Sequence, residues 1–328
     1  MQKEAPRPTV RVGVILPLKK TRNGRMQELL RSDADGVTFV HIDLDTVAQV
    51  EDIERSYGKL DVLLHKLAHD MIFETLGDET AIKNMRVMND YIARHPHVRV
   101  VDPLPGVRLL TNRHAVCTML ADVASTSGLP FSVPKYRVVD SPAAKTALLS
   151  DVAGGGFSLP VIVKSLEACG TDASHVMQVL SQPEDVAALS TDTPLLFQEF
   201  VNHDARLFKG YVLGPTILVS ERVSLPNLGS TAAKAVEFDT QSPFPTAAAF
   251  ELAPTPQSTA QPLCATMESA MHAIGRAIQG ATQLSLFGFD VIMESGSGRH
   301  MVIDVNYFPS FKELPDFDAR MRTHMKTS

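Results

Sequence analysis

A mixed α/β (α+β) fold built from two or three structural units is predicted by three features of the sequence. The first hundred residues alternate short apolar strands with helical stretches, the pattern of a Rossmann-like layer. Residues 284–310, LSLFGFDVIMESGSGRHMVIDVNYFPS, read as a long β-hairpin with turn chemistry at Ser295-Gly296-Ser297-Gly298. The 328 residues suffice for two or three units, and 44% hydrophobic with 21% charged residues is the balance of a globular chain with a sizeable core.

In order, residues 10–16 (VRVGVIL), 37–42 (VTFVHI), 60–65 (LDVLLH) and 98–101 are expected as strands. Helices are expected over 24–31 and 78–95, the second with Ile82, Met85, Met88 and Ile92 near helical spacing. Leu16-Pro17-Leu18-Lys19-Lys20 follows the first strand where a dinucleotide-binding fold needs a Gly-rich loop, which argues against dinucleotide binding. A helix is predicted over 111–127, with Asn112 and Arg113 in its first turn. Residues 130–138 lead into a strand and linker, and Gly154-Gly155-Gly156 breaks the chain before an apolar strand at 159–164 (LPVIVK). A helix over 184–189 precedes strands at 195–200 (LLFQEF), 206–213 (RLFKGYVL) and 217–222, with 201–204 (VNHD) joining the first two. Residues 228–262, rich in Ala, Thr, Ser and Pro, are expected to be irregular and mobile. A helix over 264–279 carries Met267, Ala270, Met271, Ile274 and Ile278 on one face, and the basic tail from 318 is expected to fray.

Composition excludes several classes. No apolar run is long enough to span a bilayer, and the start MQKEAPRPTVRV lacks the apolar core of a signal peptide, so no membrane insertion is expected. Cys117, Cys169 and Cys264 are few, odd in number and not at metal-ligand spacing, which favours a cytoplasmic location and is compatible with the nucleus. A net charge of −6 argues against nucleic acid as a partner, so an anionic ligand needs a local basic cluster. Nothing in the pattern demands an oligomer, and a monomer is expected.

Within the hairpin, alternation puts Phe287, Phe289, Val291 and Met293 on one face and Gly288, Asp290 and Ile292 on the other, while Val302, Asp304 and Asn306 share a face. A turn centred on Ser297 sets Asp290 opposite Asp304 and Gly288 opposite Asn306. Directly paired carboxylates repel, and burying them is costly unless a cation lies between them. Two carboxylates and an amide suit Mg²⁺ shared with substrate phosphates. The plain alternative is an edge hairpin with both aspartates in water.

Phe287-Gly288-Phe289-Asp290 followed by Val302-Ile303-Asp304-Val305-Asn306-Tyr307-Phe308-Pro309 resembles the magnesium hairpin of ATP-grasp enzymes. More narrowly, the chain resembles the inositol-tetrakisphosphate 1-kinase (inositol trisphosphate 5/6-kinase) family. The resemblance runs in order through LPLKK, HKLAHD, DPLPGVRLL, LPVIVK, FVNH, RVSLPN, LFGFD and VIDVNYFPS, nearly the whole chain. It implies an ATP-grasp fold over 109–328, with subdomains of about 109–200 and 201–328, after an N-terminal Rossmann-like (pre-ATP-grasp) domain over 1–108 that binds inositol phosphate. It also implies a kinase with ATP as cosubstrate and one or two Mg²⁺ ions on Asp290, Asp304 and Asn306.

Lys164 ends a buried-type strand, where a lysine either snorkels to water or holds its ammonium against phosphates. The small, polar 168–175 (ACGTDASH) has the composition of a lid. The resemblance makes Lys164 and Arg113 the nucleotide-phosphate residues and Lys164 and Asp304 the catalytic pair. It makes Gln198, Glu199 and Val201 the adenine hinge and sets Ser224 near the nucleotide. The acceptor ligands it implies are Lys20, with Lys19 adjacent as an alternative, and Lys66, His175, Lys209, Arg222, Asn306 and Ser310. Each cation alone reads as a surface charge; together they form a phosphate-binding set drawn from separate segments. Cys169 stands where the family often has a histidine, the lid is one residue longer, and Ser310 replaces a glycine, which bears on substrate preference. Two other readings use the same fold: a carboxylate–amine ligase, whose acceptor pocket needs less positive charge, and a non-catalytic inositol phosphate or nucleotide sensor.

Overall fold

The computed structural model describes residues 9–22, 24–31, 33–229, 234–253 and 264–327; the Lys19 side chain and parts of the 228–262 stretch (230–233 and 254–262) lie outside the described residues. The first unit runs β1 (Val10–Ile15), α1 (Leu18–Thr21), α2 (Gly24–Arg31), β2 (Val37–His41), α3 (Glu51–Tyr57), β3 (Val62–His65), α4 (Ala68–Thr75), α5 (Glu79–Arg94) and β4 (Arg99–Val101). Its four strands form a parallel sheet in the order β2-β1-β3-β4. These strands are short runs of Val and Leu because helices cover both faces of a parallel sheet. Asp78 caps α5, its carboxylate accepting from the Ala81 amide at 2.8 Å, which satisfies one of the helix's free donors.

The rest of the chain runs α6 (Leu104–Leu109), α7 (Arg113–Ser127), β5 (Phe131–Ser132), β6 (Tyr136–Val139), α8 (Pro142–Ala153), β7 (Val161–Ser165), β8 (Val176–Leu180), α9 (Pro183–Ala188) and β9 (Leu195–Glu199). It continues with β10 (Arg206–Leu213), β11 (Thr216–Val223), β12 (Val236–Asp239), α10 (Ala265–Thr282), β13 (Leu286–Met293), β14 (His300–Tyr307) and α11 (Phe317–Lys326). One five-stranded sheet, β12-β8-β7-β9-β6, is antiparallel throughout. A second, β11-β10-β13-β14-β5, is antiparallel except where β5 joins β14. The two sheets face one another across a cleft, with β7 and β9 on one side and β10, β13 and β14 on the other.

The hairpin register is as expected at its centre: Asp290 pairs with Asp304 and Gly288 with Asn306. Beyond Asp290 the register shifts, and Val291 pairs with Val302. Ile303 is the extra residue of a β-bulge, so Val302 turns into the core beside Val291 and does not share the face of Asp304. Within 228–262, the described residues 234–253 are more ordered than composition suggests. β12 pairs with β8, and Phe238 and Phe250 pack with Val179 and Leu225 in a small core of their own. Asn112 lies outside α7 as its cap, accepting from the Ala115 amide.

The tail is not frayed. α11 buries Met321 and Met325, and Arg322 is 0% exposed. Its guanidinium donates to the carbonyls of Leu29, Ala34 and Val37, closing the end of the first unit. Arg99 returns the contact, donating to the carbonyls of His324 and Met325. A basic stretch is thus tied down by the carbonyl ends of neighbouring elements. Among the described residues no helix is long and apolar enough to cross a membrane.

Candidate functional site

The cleft between the two five-stranded sheets holds a cavity of about 720 Å³. On one wall Lys164 is only 4% exposed. Its Nζ donates to Gln198 Oε1 at 2.8 Å and to the Ile303 carbonyl at 3.3 Å. The bulge explains the second contact, since an extra residue leaves the ladder and frees polar groups for a partner outside it. Burial pushes the Lys164 ammonium below its ordinary pKa, and the Asp304 carboxylate opposes that shift.

Facing Lys164, the hairpin presents Asp290, Asp304 and Asn306 on one side of β13 and β14. Asn306 Nδ2 donates to Asp304 Oδ2 at 2.7 Å, which turns the amide oxygen away. Lys209 on β10 sits in register opposite Asp290 and donates to both of its oxygens, at 2.7 and 2.8 Å. Burial raises the Asp290 pKa, Lys209 lowers it, and the Asp304 charge raises it further. Two paired carboxylates and an amide oxygen are hard donors that fit Mg²⁺. Among the described residues no group of three or more His, Cys, Asp or Glu gathers, so this set needs further oxygens, such as phosphate, to complete a coordination shell.

Arg113 lies in the cavity wall, but its guanidinium is committed to the loop after β7. It donates to the carbonyls of Ser165, Glu167 and Ser174, at 2.9, 2.6 and 2.7 Å. This holds the stretch expected as a lid in a defined turn, with His175 ending a short 3₁₀ segment at the cavity. Gln198, beside Lys164, lines the cavity together with Glu199 and Val201, where β9 ends. Ser224 and Arg222 line it from β11 and the turn that follows, with Arg222 ion-paired to Glu313.

Lys20, Lys66 and Ser310 lie outside this cavity. Lys20 and Lys66 converge on one atom: both donate to the Phe308 carbonyl oxygen, at 2.6 and 2.9 Å, and Lys20 also reaches the Pro309 carbonyl at 2.7 Å. Lys20 stacks 3.9 Å over the Phe308 ring. Burial pushes Lys66 down to about 8, with Cys169 pulling it back, and lowers Lys20 further below its usual range, assisted by the Lys66 charge. Ser310 is exposed just beyond this pair. Thus twelve of the expected residues, from Arg113 to Asn306, share the cavity, and the remaining three gather at the far end of β14.

Two residues of the site have no role assigned from the sequence, although His203 closes the FVNH motif. Cys117 on α7 accepts from Gln198 Nε2 at 4.0 Å and so orients the amide that holds Lys164. His203 is buried beside the hinge, with Nδ1 on the Val201 carbonyl and Nε2 on Ser224 Oγ. A histidine in a polar turn reads as surface, and only the packed fold brings it under Ser224.

Comparison with known proteins gives the family and the fold. Residues 11–107 match the inositol 1,3,4-trisphosphate 5/6-kinase pre-ATP-grasp domain, and residues 126–327 the ATP-grasp domain of the same family. Inositol-tetrakisphosphate 1-kinase 2 of Oryza sativa subsp. indica is 33% identical, the match covering 94% of this chain and 82% of that protein. Inositol-tetrakisphosphate 1-kinase of Xenopus laevis is 27% identical, over 97% of this chain and 78% of that one. Among solved structures, the ATP-grasp ligase PsnB complexed with minimal precursor superposes with a TM-score of 0.57 at 15% identity, over 97% of this chain and 98% of that chain, which establishes the ATP-grasp fold.

Proposed function

Because the chain belongs to the inositol 1,3,4-trisphosphate 5/6-kinase family, we propose that its cleft holds ATP with Mg²⁺ against an inositol polyphosphate bound beside the first unit. It is an ATP-dependent inositol polyphosphate kinase. In this reading the acceptor is the 1-hydroxyl of an inositol tetrakisphosphate, or the 5- or 6-hydroxyl of inositol 1,3,4-trisphosphate, the reactions for which the relatives and the family are named. One observation carries the assignment of residues. Lys164, the Asp290–Asp304 pair and Asn306 meet in one cavity, and the strand bearing Asp304 and Asn306 ends where Lys20 and Lys66 converge.

In this reading the adenine lies against the hinge, where the Val201 carbonyl is already taken by His203 while its N–H has no partner among the described residues. Lys164 stands at the phosphate end and offsets charge on the group in transfer. Asp290, Asp304 and Asn306 would hold one or two Mg²⁺ ions, which would supply positive charge to offset that of the nucleotide phosphates. Lys209, which donates to both Asp290 oxygens, would hold that carboxylate in place and add positive charge on the acceptor side of the cavity. Lys20, Lys66 and Arg222 add cationic contacts, His175 adds a ring nitrogen at the cavity, and Arg113 acts by fixing the 165–174 loop. Catalysis is then positioning and electrostatics, with the acceptor hydroxyl in line.

The test is ADP release from ATP and Mg²⁺ over a panel of inositol tris- and tetrakisphosphates, with products separated. Turnover on a panel member, lost by at least about a thousandfold in Asp304→Ala with an unchanged melting curve, supports the assignment. Near wild-type activity in that variant sinks it, and an amide product with free phosphate would mean a ligase.

A further inference from the structure

His203 is 5% exposed in the turn after β9. Its Nδ1 lies 2.6 Å from the Val201 carbonyl oxygen and its Nε2 lies 2.8 Å from Ser224 Oγ. The ring has little freedom, because the turn that carries it is clamped. Asn227 Oδ1 accepts from the amides of His203 and Asp204, at 2.9 and 2.8 Å. Asn202 exchanges two hydrogen bonds with the Leu228 backbone, at 3.0 and 2.8 Å.

The donor and acceptor roles in this chain follow from the groups themselves. A carbonyl oxygen has no hydrogen to give, so Nδ1 must carry the proton that binds Val201. Burial lowers the imidazole pKa, opposed by that carbonyl and by Asp204, and favours the neutral ring. A neutral ring protonated at Nδ1 presents a bare lone pair at Nε2. The Ser224 hydroxyl must therefore point its one hydrogen at Nε2. Ser224 Oγ is left with lone pairs, makes no other hydrogen bond among the described residues, and lines the cavity.

We propose that His203 is a positioning residue that locks Ser224 as a hydrogen-bond acceptor, so the nucleotide group that meets Ser224 is a donor: the amino group of the base or a ribose hydroxyl. A purine carbonyl in that place would set lone pairs against lone pairs. A ribose lacking the hydroxyl would leave the lone pairs of Ser224 Oγ desolvated without a donor. Selectivity of this kind is strong because the wrong ligand strands a buried polar group. The proposal rests on the nucleotide reading of the cleft.

The test is calorimetric titration, with Mg²⁺ and without acceptor, of ATP, ITP, 2′-deoxyATP and 3′-deoxyATP into the wild-type protein, Ser224→Ala, Ser224→Thr and His203→Leu. One of the three analogues should bind the wild type at least about tenfold more weakly than ATP, and its identity tells base from ribose. Ser224→Ala should bind ATP at that weakened level and lose the distinction, Ser224→Thr should keep it, and His203→Leu should narrow it by letting the hydroxyl turn. Wild-type protein that binds all four alike overturns the proposal, as does Ser224→Ala with the full distinction intact. His203→Leu that keeps the distinction overturns the positioning role, and should that variant fail to fold, the two Ser224 variants still decide the polarity of Ser224. Failure of ATP itself to bind the wild type overturns the nucleotide reading instead.

Discussion

Lys66 gives the proposed acceptor site a pH dependence whose direction is fixed by its surroundings. Its ammonium is partly buried on the Phe308 carbonyl and its pKa is pushed down to about 8. A group with that pKa is about nine-tenths charged at pH 7 and about one-tenth charged at pH 9. A charge-assisted hydrogen bond to phosphate contributes about 1.5–3 kcal/mol, so wild type should bind an inositol tetrakisphosphate about 10- to 100-fold better than Lys66→Met near pH 7. As pH rises through about 8 the ammonium is lost, and that advantage should shrink by about tenfold at pH 9. Ionisation of the ligand's own phosphates is common to both proteins and cancels in the ratio. Calorimetric titration of both proteins at three pH values measures it. A ratio that stays constant from pH 7 to pH 9 refutes the reasoning. Stability of the ligand-free protein supplies a second reading with its own sign. The folded pKa lies below the unfolded one, so the cost of burying the ammonium is fully present below about pH 8 and disappears as pH rises towards about 10, where the unfolded lysine also loses its proton. Lys66→Met should therefore be the more stable protein at pH 7, with Lys20 still satisfying the Phe308 carbonyl, and should lose that lead across this window.

Three further substitutions probe the frame. Lys164→Met should cut turnover by about 10²–10³-fold while leaving the melting temperature level or raised, because the ammonium is expensive to bury and its charge acts on the transferring group; a coupled ADP assay beside a melting curve checks both. Arg322→Leu should cost at least about 3 kcal/mol in denaturant unfolding, since three backbone carbonyls lose their donor inside the fold. Gly106→Ala should cost about 1–3 kcal/mol in the same measurement, because the added Cβ would lie 2.2 Å from the Thr282 carbonyl oxygen and neither backbone can yield freely.

The hairpin was legible in the sequence because β alternation is local and its turn announced itself, and this placed Asp290 against Asp304 before any tertiary information. The first sheet was legible for the same reason, its strands being short apolar runs. The bulge at Ile303 was not, since a one-residue slip leaves no mark in composition, yet it decides which carbonyl Lys164 can reach. α11 was misread because a basic, polar segment looks solvated until the carbonyls of Leu29, Ala34 and Val37 are known to stand over Arg322. β8, α3, α4, α6 and α8 were missed because their patterns are short and their burial is decided by neighbours distant in sequence. The candidate site followed the same division. Residues expected to carry charge were identified from motif resemblance, whereas Cys117 and His203, which contact the uncharged Gln198 and Ser224, are placed in the site only by packing.

The convergence of Lys20 and Lys66 on the Phe308 carbonyl makes β14 a ruler. Asp304 and Asn306 stand along the strand and the two ammonium groups hold its end, so four residues of extended chain, roughly 13 Å, separate the proposed phosphoryl donor from the anchors of its acceptor. The distance is written in covalent geometry, and an acceptor is measured against it each time it docks.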